Sequence, residues 1–246
     1  KAFSNWQNKL AGKAWNVLYI ENHDHPRIIS RYGNEKFWKE SGKTLAVSYL
    51  FQQGTPFLYQ GQEIGMLNWK PADPEMYEDV QTRYNYAHSN LKKSPEERLR
   101  KMWRSSRDSA RTPVQWDGSE NAGFTTGTPW FYVNENYPQI NVAQQEEDPD
   151  SILQFYRKAI ALRKSLSVVR DGVYKEHFPL SRKLYVYSRV MKGQKLLVIC
   201  SFSDRAEKMK VPAGFDLAKA KLILQNVENM SSTLFPYESR VYLWEE

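Results

Sequence analysis

A single cysteine, Cys200, excludes any disulfide within this chain of 246 residues, and with it the cross-linked framework of a small secreted domain. Its flanks, Leu197-Val198-Ile199, mark it as a residue of a core strand. No apolar run approaches the roughly 18 residues that a membrane-crossing helix needs, so no membrane partner is expected. The first residues have neither the basic start nor the cleavage pattern of a secretory signal, and the expected compartment is the cytoplasm. An initiator Met is also missing, so the chain reads as beginning inside a longer protein. Internal repeats and low-complexity tracts are absent. Acidic residues are the scarcer charge, 28 against 35 basic, which leaves a formal +7 and raises the question of nucleic acid. The basic residues are scattered, however. The densest cluster, Glu96 to Lys101, mixes both signs as a solvated helix face does, and no nucleic-acid motif accompanies it. Nucleic acid is therefore not expected as a partner. Apolar residues are not scarce: a 41% apolar fraction with 14% aromatics excludes a disordered chain. Trp and Tyr offer apolar walls with polar tips, which suit sugar rings and ordinary cores alike.

Two strand–helix pairs come first along the chain. A short apolar strand over residues 15–20 ends in Glu21-Asn22-His23-Asp24-His25-Pro26-Arg27, and a helix is predicted from about Trp38 to Gln53, with Leu45, Ala46, Tyr49 and Leu50 at helical spacing. Gly54-Thr55-Pro56 breaks that helix, and a second strand, Pro56 to Tyr59, leads into the loop Gln60 to Met66. Strands alternating with helices imply a parallel sheet, in a doubly wound or barrel fold. Residues 67–135 read as loop-rich, and loops of such length are usually functional. A helix is predicted over Ser151–Ser165, capped by Asp150 or Ser151. From Val168 onward, short strands between turn residues predict a small antiparallel β-domain: 184–187, 195–201, 207–211, 220–224 and 240–244.

An imidazole and a carboxylate at the end of a buried strand is an arrangement that barrel enzymes use for catalysis. By themselves, His23 and Asp24 fit a polar turn before Pro26 better than a catalytic pair. Their neighbours change that balance. Asn22-His23-Asp24 with Pro26-Arg27 resembles the fourth signature region of the α-amylase family of glycoside hydrolases (glycoside hydrolase family 13), at the end of the seventh barrel strand. Gly54 to Met66 resembles the eighth strand and its loop. Arg107-Asp108-Ser109-Ala110-Arg111-Thr112-Pro113-Val114-Gln115-Trp116-Asp117, followed by Asn121-Ala122-Gly123-Phe124, resembles the long segment of the oligo-1,6-glucosidase and α-glucosidase branch. Pro129 to Val142, the helix with Tyr156-Arg157-Lys158, and Pro236 to Tyr242 continue the likeness in the family's order over essentially the whole chain.

The resemblance implies an α/β fold: the last two strand–helix units of a (β/α)8 TIM barrel in residues 1–167, then an all-β sandwich in residues 168–246. It implies a retaining α-glucosidase that removes terminal glucose from α-linked oligosaccharides. Retention needs a carboxylate nucleophile and a carboxylic acid roughly 5–5.5 Å apart, with hydrogen bonds to the sugar 2-hydroxyl that strengthen in the transition state. By resemblance the nucleophile and the acid come from the fourth and fifth strands, upstream of residue 1. The chain would then be inactive without that amino-terminal half of the barrel, which becomes its obligate partner. Asp24 would be the third carboxylate, the transition-state stabiliser, and His23 would bind sugar hydroxyls beside it. Arg111 would contact the non-reducing glucose, with Arg107 a second candidate; pairing of Arg111 with Asp108 or Asp117 to brace the loop is the alternative. Arg27 is expected to order its loop through carbonyls or a carboxylate, and Glu63 to brace its own loop rather than act as an acid. Tyr59, Trp69 and Trp116 suit either a sugar wall or a seal between domains.

No cofactor and no metal ligands are expected in this chain. Some members of the family hold calcium in upstream loops, and nothing here has the oxygen-ligand spacing of a calcium loop. His25 departs from the Gln or Asn common in the branch. Three other readings stand beside the glucosidase: a sucrose isomerase or glucosyltransferase of the same family, a non-catalytic subunit like the heavy subunits of amino-acid transporters, and a carbohydrate-binding β-module. Retention of both His23 and Asp24 argues against the second.

Overall fold

The computed structural model describes residues 2–88 and 91–245. In chain order the elements are α1 (Ala2–Leu10), β1 (Val17–Leu18), α2 (Ile28–Tyr32), α3 (Trp38–Leu50), β2 (Thr55–Pro56), α4 (Val80–His88), α5 (Pro95–Ser105), α6 (Val142–Glu147), α7 (Ile152–Ser165) and α8 (Ser167–Asp171). The strands β3 (Val173–His177), β4 (Leu184–Met191), β5 (Gln194–Ser201), β6 (Glu207–Lys208), β7 (Lys221–Gln225), β8 (Thr233–Leu234) and β9 (Ser239–Glu245) follow. They belong to two compact units. One gathers the chain up to Tyr19, Lys36–Phe57 and everything from Phe155 on; the other consists of Ile20–Glu35 and Leu58–Gln154.

In the first unit β1 and β2 pair in parallel, Val17 opposite Thr55 and Leu18 opposite Pro56, with α3 between them in sequence. Both strands are shorter than their apolar runs predict. Pro56 has no amide hydrogen to donate, so the ladder rests on Thr55 and Phe57, whose amides donate to Asn16 and Leu18 carbonyls at 2.8 Å each. The helix α3 ends at Leu50, short of the predicted Gln53, and ten of its 13 residues are buried. A helix buried on nearly every side explains why Ser41, Gly42, Thr44 and Ser48 accompany the apolar Leu45, Ala46, Tyr49 and Leu50 inside. The turn after it is built on Gly54 at φ +140°, where an added Cβ would stand 2.7 Å from the Asn16 carbonyl oxygen and 2.8 Å from Leu18 Cγ. Arg163 gathers the carbonyls of that turn, donating to Leu50, to Gln52 at 2.7 Å and to Gly54.

The same unit holds an antiparallel sheet of five strands in the order β3-β4-β5-β9-β7. Strict alternation sorts its side chains onto two faces. Leu184, Val186, Leu197, Ile199, Tyr242 and Trp244 form a core with Leu234 of β8, which pairs with β6 in a small separate ribbon. The opposite face carries Tyr187, whose hydroxyl donates to the Val47 carbonyl of α3 at 3.4 Å. The large sheet is thus covered by a helix on one side and by a ribbon with loops on the other. Cys200 is fully buried in β5. Strand β6 stops at Lys208 rather than Val211 because its partner β8 offers only two residues. Strands β3 and β8, both rich in polar or exposed residues, carry too little alternation to be predicted.

The second unit departs most from the sequence reading. The stretch 67–135 contains two helices, α4 and α5, as well as loops. A capping box starts α5: Ser94 Oγ accepts the Glu97 amide at 3.2 Å, and the Glu97 carboxylate accepts the Ser94 amide at 3.1 Å. Trp69, Tyr77 and Met102 form a core between these segments. For α7 the cap is Ser151, whose hydroxyl accepts the Gln154 amide at 3.1 Å.

Candidate active site

All four residues expected to serve the site lie in the second unit, and their geometry is built on a buried foundation. Arg27 is fully enclosed. Its guanidinium donates to Glu21 at 2.7 Å, to the Gln60 carbonyl at 2.6 Å and to the Ser109 carbonyl at 3.1 Å. The other Glu21 oxygen accepts the Ile28 amide at 2.9 Å. One guanidinium therefore ties together the Glu21–Arg27 loop, the Gln60–Met66 loop and the Arg107–Ala110 turn. Gly61, at φ +82°, passes so close that a Cβ would meet Met66 Sδ at 2.3 Å and Arg27 Nη1 at 3.1 Å. Arg27 is a brace, as expected from its place in the sequence.

On this base the Asn22 side chain accepts the Asp24 amide at 2.9 Å and forms the Asx turn that presents the pair. His23 Nε2 stands 3.4 Å from Asp24 Oδ2, with side-chain exposures of 68% and 51%. Two guanidiniums approach the remaining oxygen: Arg107 Nη1 and Arg111 Nη2 each lie 3.4 Å from Asp24 Oδ1. Both come from one 3-10 turn, Arg107–Ala110 with Arg111 at its end, whose cap is Ser106. Arg111 Nε also donates to the His23 carbonyl at 3.1 Å. Among the described residues neither the Asp108 nor the Asp117 carboxylate accepts the Arg111 guanidinium; Asp108 meets Arg111 only through its carbonyl, which accepts the Arg111 amide at 2.9 Å. Asp108 is buried and accepts the amides of Glu78 and Asp79 at 2.8 and 2.9 Å, while Asp117 accepts Ser119.

A residue that the sequence reading passed over completes the cluster. Asp79 caps α4, accepting the Thr82 amide at 3.1 Å and the Thr82 hydroxyl at 2.5 Å through Oδ2, and it accepts Arg107 Nη2 through Oδ1. Burial acts to raise its carboxyl, but the bonds from Arg107 and Thr82 outweigh it and hold the group below the ordinary carboxylate value. The Asp79 bond raises Arg107 in turn. The available signal was Asp79-Val80-Gln81-Thr82, an acidic cap ahead of a helix.

The aromatic candidates separate. Tyr59 is half-buried, donates to the Ala110 carbonyl at 3.0 Å and lies 5.6 Å from the Arg27 guanidinium, so it packs the foundation. Trp69 is buried and stacked on Tyr132 at 5.4 Å, which removes it as a sugar wall. Trp116 remains half-exposed. His25 is partly buried, its amide donating to the Asn22 carbonyl at 3.3 Å. Glu63 is partly buried, and burial raises its carboxyl against the bonding of its own amide and that of Gly61. Among the described residues no three His, Cys, Asp or Glu side chains gather so as to hold a metal ion, and no helix is long and apolar enough to cross a membrane.

An exposed carboxylate flanked by an imidazole and two guanidiniums can accept sugar hydroxyls while its neighbours donate to others. Comparison with known proteins gives the family. The alpha amylase catalytic domain matches residues 1–172. The chain belongs to the alpha-amylase family. Within that family it is 44% identical over 251 residues to an oligo-1,6-glucosidase of Heyndrickxia coagulans, with 99% of this chain and 44% of that protein covered. The crystal structure of the trehalose-6-phosphate hydrolase of Bacillus licheniformis superposes with a TM-score of 0.94 at 39% identity, covering all of this chain and 46% of that one. Isomaltulose synthase from Klebsiella sp. LX3 gives 0.88 at 30% identity, covering 98% and 45%. This alpha-amylase family chain therefore spans a little under half the length of the relatives it matches.

Proposed function

We propose that the chain is part of a retaining α-glucosidase of the oligo-1,6-glucosidase kind, and that Asp24 is its transition-state-stabilising carboxylate. The observation that carries this is the half-exposed Asp24 with His23, Arg107 and Arg111 converging on it. A flattening glucosyl ring with developing positive charge gains most from a carboxylate held in place beforehand. In this reading His23 and Arg111 bind the hydroxyls of the terminal glucose, and β1-α3 with β2 are the last strand–helix units of the barrel. The strands from β3 on form the β-domain that follows near residue 168.

The nucleophile and the acid come from outside this chain. Carboxylates around Asp24 are otherwise engaged: Glu21 with Arg27, Asp79 with Arg107, and Asp108 with two backbone amides. A retaining mechanism needs two reacting carboxyl groups facing the scissile bond, and the chain spans less than half of its relatives. The chain alone should therefore leave p-nitrophenyl α-D-glucoside intact, while the enzyme that also contains the upstream segment should hydrolyse it. In that enzyme Asp24→Asn lowers kcat by about a hundred- to a thousand-fold. An Asp24→Asn enzyme with unchanged kcat overturns the assignment.

A second reading, isomerisation of sucrose by the same covalent chemistry, is favoured by the likeness to isomaltulose synthase. Product analysis on sucrose and isomaltose separates the two: glucose release supports hydrolysis, and isomaltulose formation supports isomerisation.

A further inference from the structure

We propose that Asp79 is a positioning residue of the glucoside site: it tethers the Arg107 guanidinium away from Asp24 and so keeps the Asp24 carboxylate open to sugar hydroxyls. The proposal rests on the reading of Asp24 as the carboxylate that faces substrate. Arg107 divides its terminal nitrogens unequally. Nη2 is firmly bound to Asp79 Oδ1, whereas Nη1 stands 3.4 Å from Asp24 Oδ1. A charge-assisted N–H···O bond is normally about 2.7–2.9 Å, so Asp24 receives a loose contact and Asp79 the firm one. Asp79 is itself buried and bonded on every side-chain oxygen. It is 5% exposed, its second oxygen is fixed by Thr82, and its amide donates to Asp108 Oδ2 at 2.9 Å.

Arg111 shows the same division, with Nε anchored on the His23 carbonyl at 3.1 Å and Nη2 standing off from Asp24 at 3.4 Å. Both cations are thus anchored elsewhere and lean towards Asp24 without closing on it. The four side chains Asp24, Asp79, Arg107 and Arg111 sum to zero formal charge. Neutralising Asp79 leaves Arg107 with Asp24 as the nearest carboxylate among the described residues. A guanidinium released next to a carboxylate tends towards the two-bond fork, which takes both carboxylate oxygens. Those are the oxygens that glucose hydroxyls would need.

The test uses the full enzyme that contains this chain and p-nitrophenyl α-D-glucoside as substrate. Asp79→Asn should lower kcat/KM by about 10- to 100-fold, the scale of a misplaced active-site group. In an Arg107→Gln background the same substitution should cost less than about two-fold, because the residue it releases is gone. An equal penalty for Asp79→Asn in both backgrounds overturns the tether while leaving the glucosidase reading intact. A wild-type enzyme inert towards α-glucosides overturns both.

Discussion

Glu21 and Arg27 form an ion pair at 2.7 Å in which neither side chain is more than 1% exposed. The pair sits beneath His23 and Asp24 and fixes the loop that carries them. Burial raises the Glu21 carboxyl, and Arg27 with the Ile28 amide acts in the opposite direction. Removing the cation should therefore be costly out of proportion to the pair's own worth. Arg27→Met is expected to lower stability by about 3–5 kcal/mol, the range for a buried charge left without its partner. The double variant Glu21→Gln/Arg27→Met should recover a large part of that loss, and urea unfolding of the three proteins measures both effects.

Arg111 offers a fork, and its two ends do different work: Nε on the His23 carbonyl and Nη2 towards Asp24. A lysine can place one charge but cannot make both contacts from one plane. Arg111→Lys is accordingly expected to reduce kcat/KM on p-nitrophenyl α-D-glucoside by about ten-fold or more, with stability within roughly 0.5 kcal/mol of wild type. Equal kcat/KM for the two enzymes would show that only the charge matters.

The turn after α3 gives a stability prediction. Gly54 sits at φ +140° with the Asn16 carbonyl and Leu18 side chain in the space of a Cβ. Both backbone conformation and volume oppose a side chain there, so Gly54→Ala should destabilise by about 2–4 kcal/mol. A urea midpoint equal to wild type would mean that β1 can move away freely. Such freedom is hard to reconcile with Arg163 holding three carbonyls of the same turn.

How much of this was legible beforehand depends on the range of each interaction. Leu45, Ala46, Tyr49 and Leu50 announce α3 through helical spacing, and β4, β5 and β9 show as short apolar runs between turn residues. Strand β6 is shorter than predicted because a ladder stops where its partner stops, here β8, whereas β4 and β9, each paired along its length, run longer than predicted, to Met191 and over Ser239–Glu245. The helices α4 and α5 lay within a stretch rich in Pro, Asp and Asn, yet Ser94-Pro95-Glu96-Glu97 carries a complete capping box that marks the second of them. The family likeness indicated His23, Asp24, Arg107 and Arg111, and the structure brings all four together. Asp79 escaped notice for a physical reason. Its partner lies 28 residues away, and only the folded path of the chain brings Asp79 to Arg107.

Glu63 supplies a pH-dependent prediction with a definite sign. Burial raises its carboxyl above the ordinary 4.5, against hydrogen bonds from its own amide and that of Gly61 and the charge of Arg27. A carboxyl raised in the folded state favours folding when protonated. That contribution is fully present below the unfolded value of 4.5 and is lost as pH rises through the folded value. At neutral pH the wild type therefore carries the cost of a buried charge, and Glu63→Gln does not. The variant should be the more stable protein at pH 7, and the two should converge below about pH 4. Its kcat should stay within about two-fold of wild type, since a loop brace transfers no proton. Urea midpoints at the two pH values, with kcat at neutral pH, check both parts. A large loss of kcat with stability unchanged would make Glu63 an acid of the reaction after all.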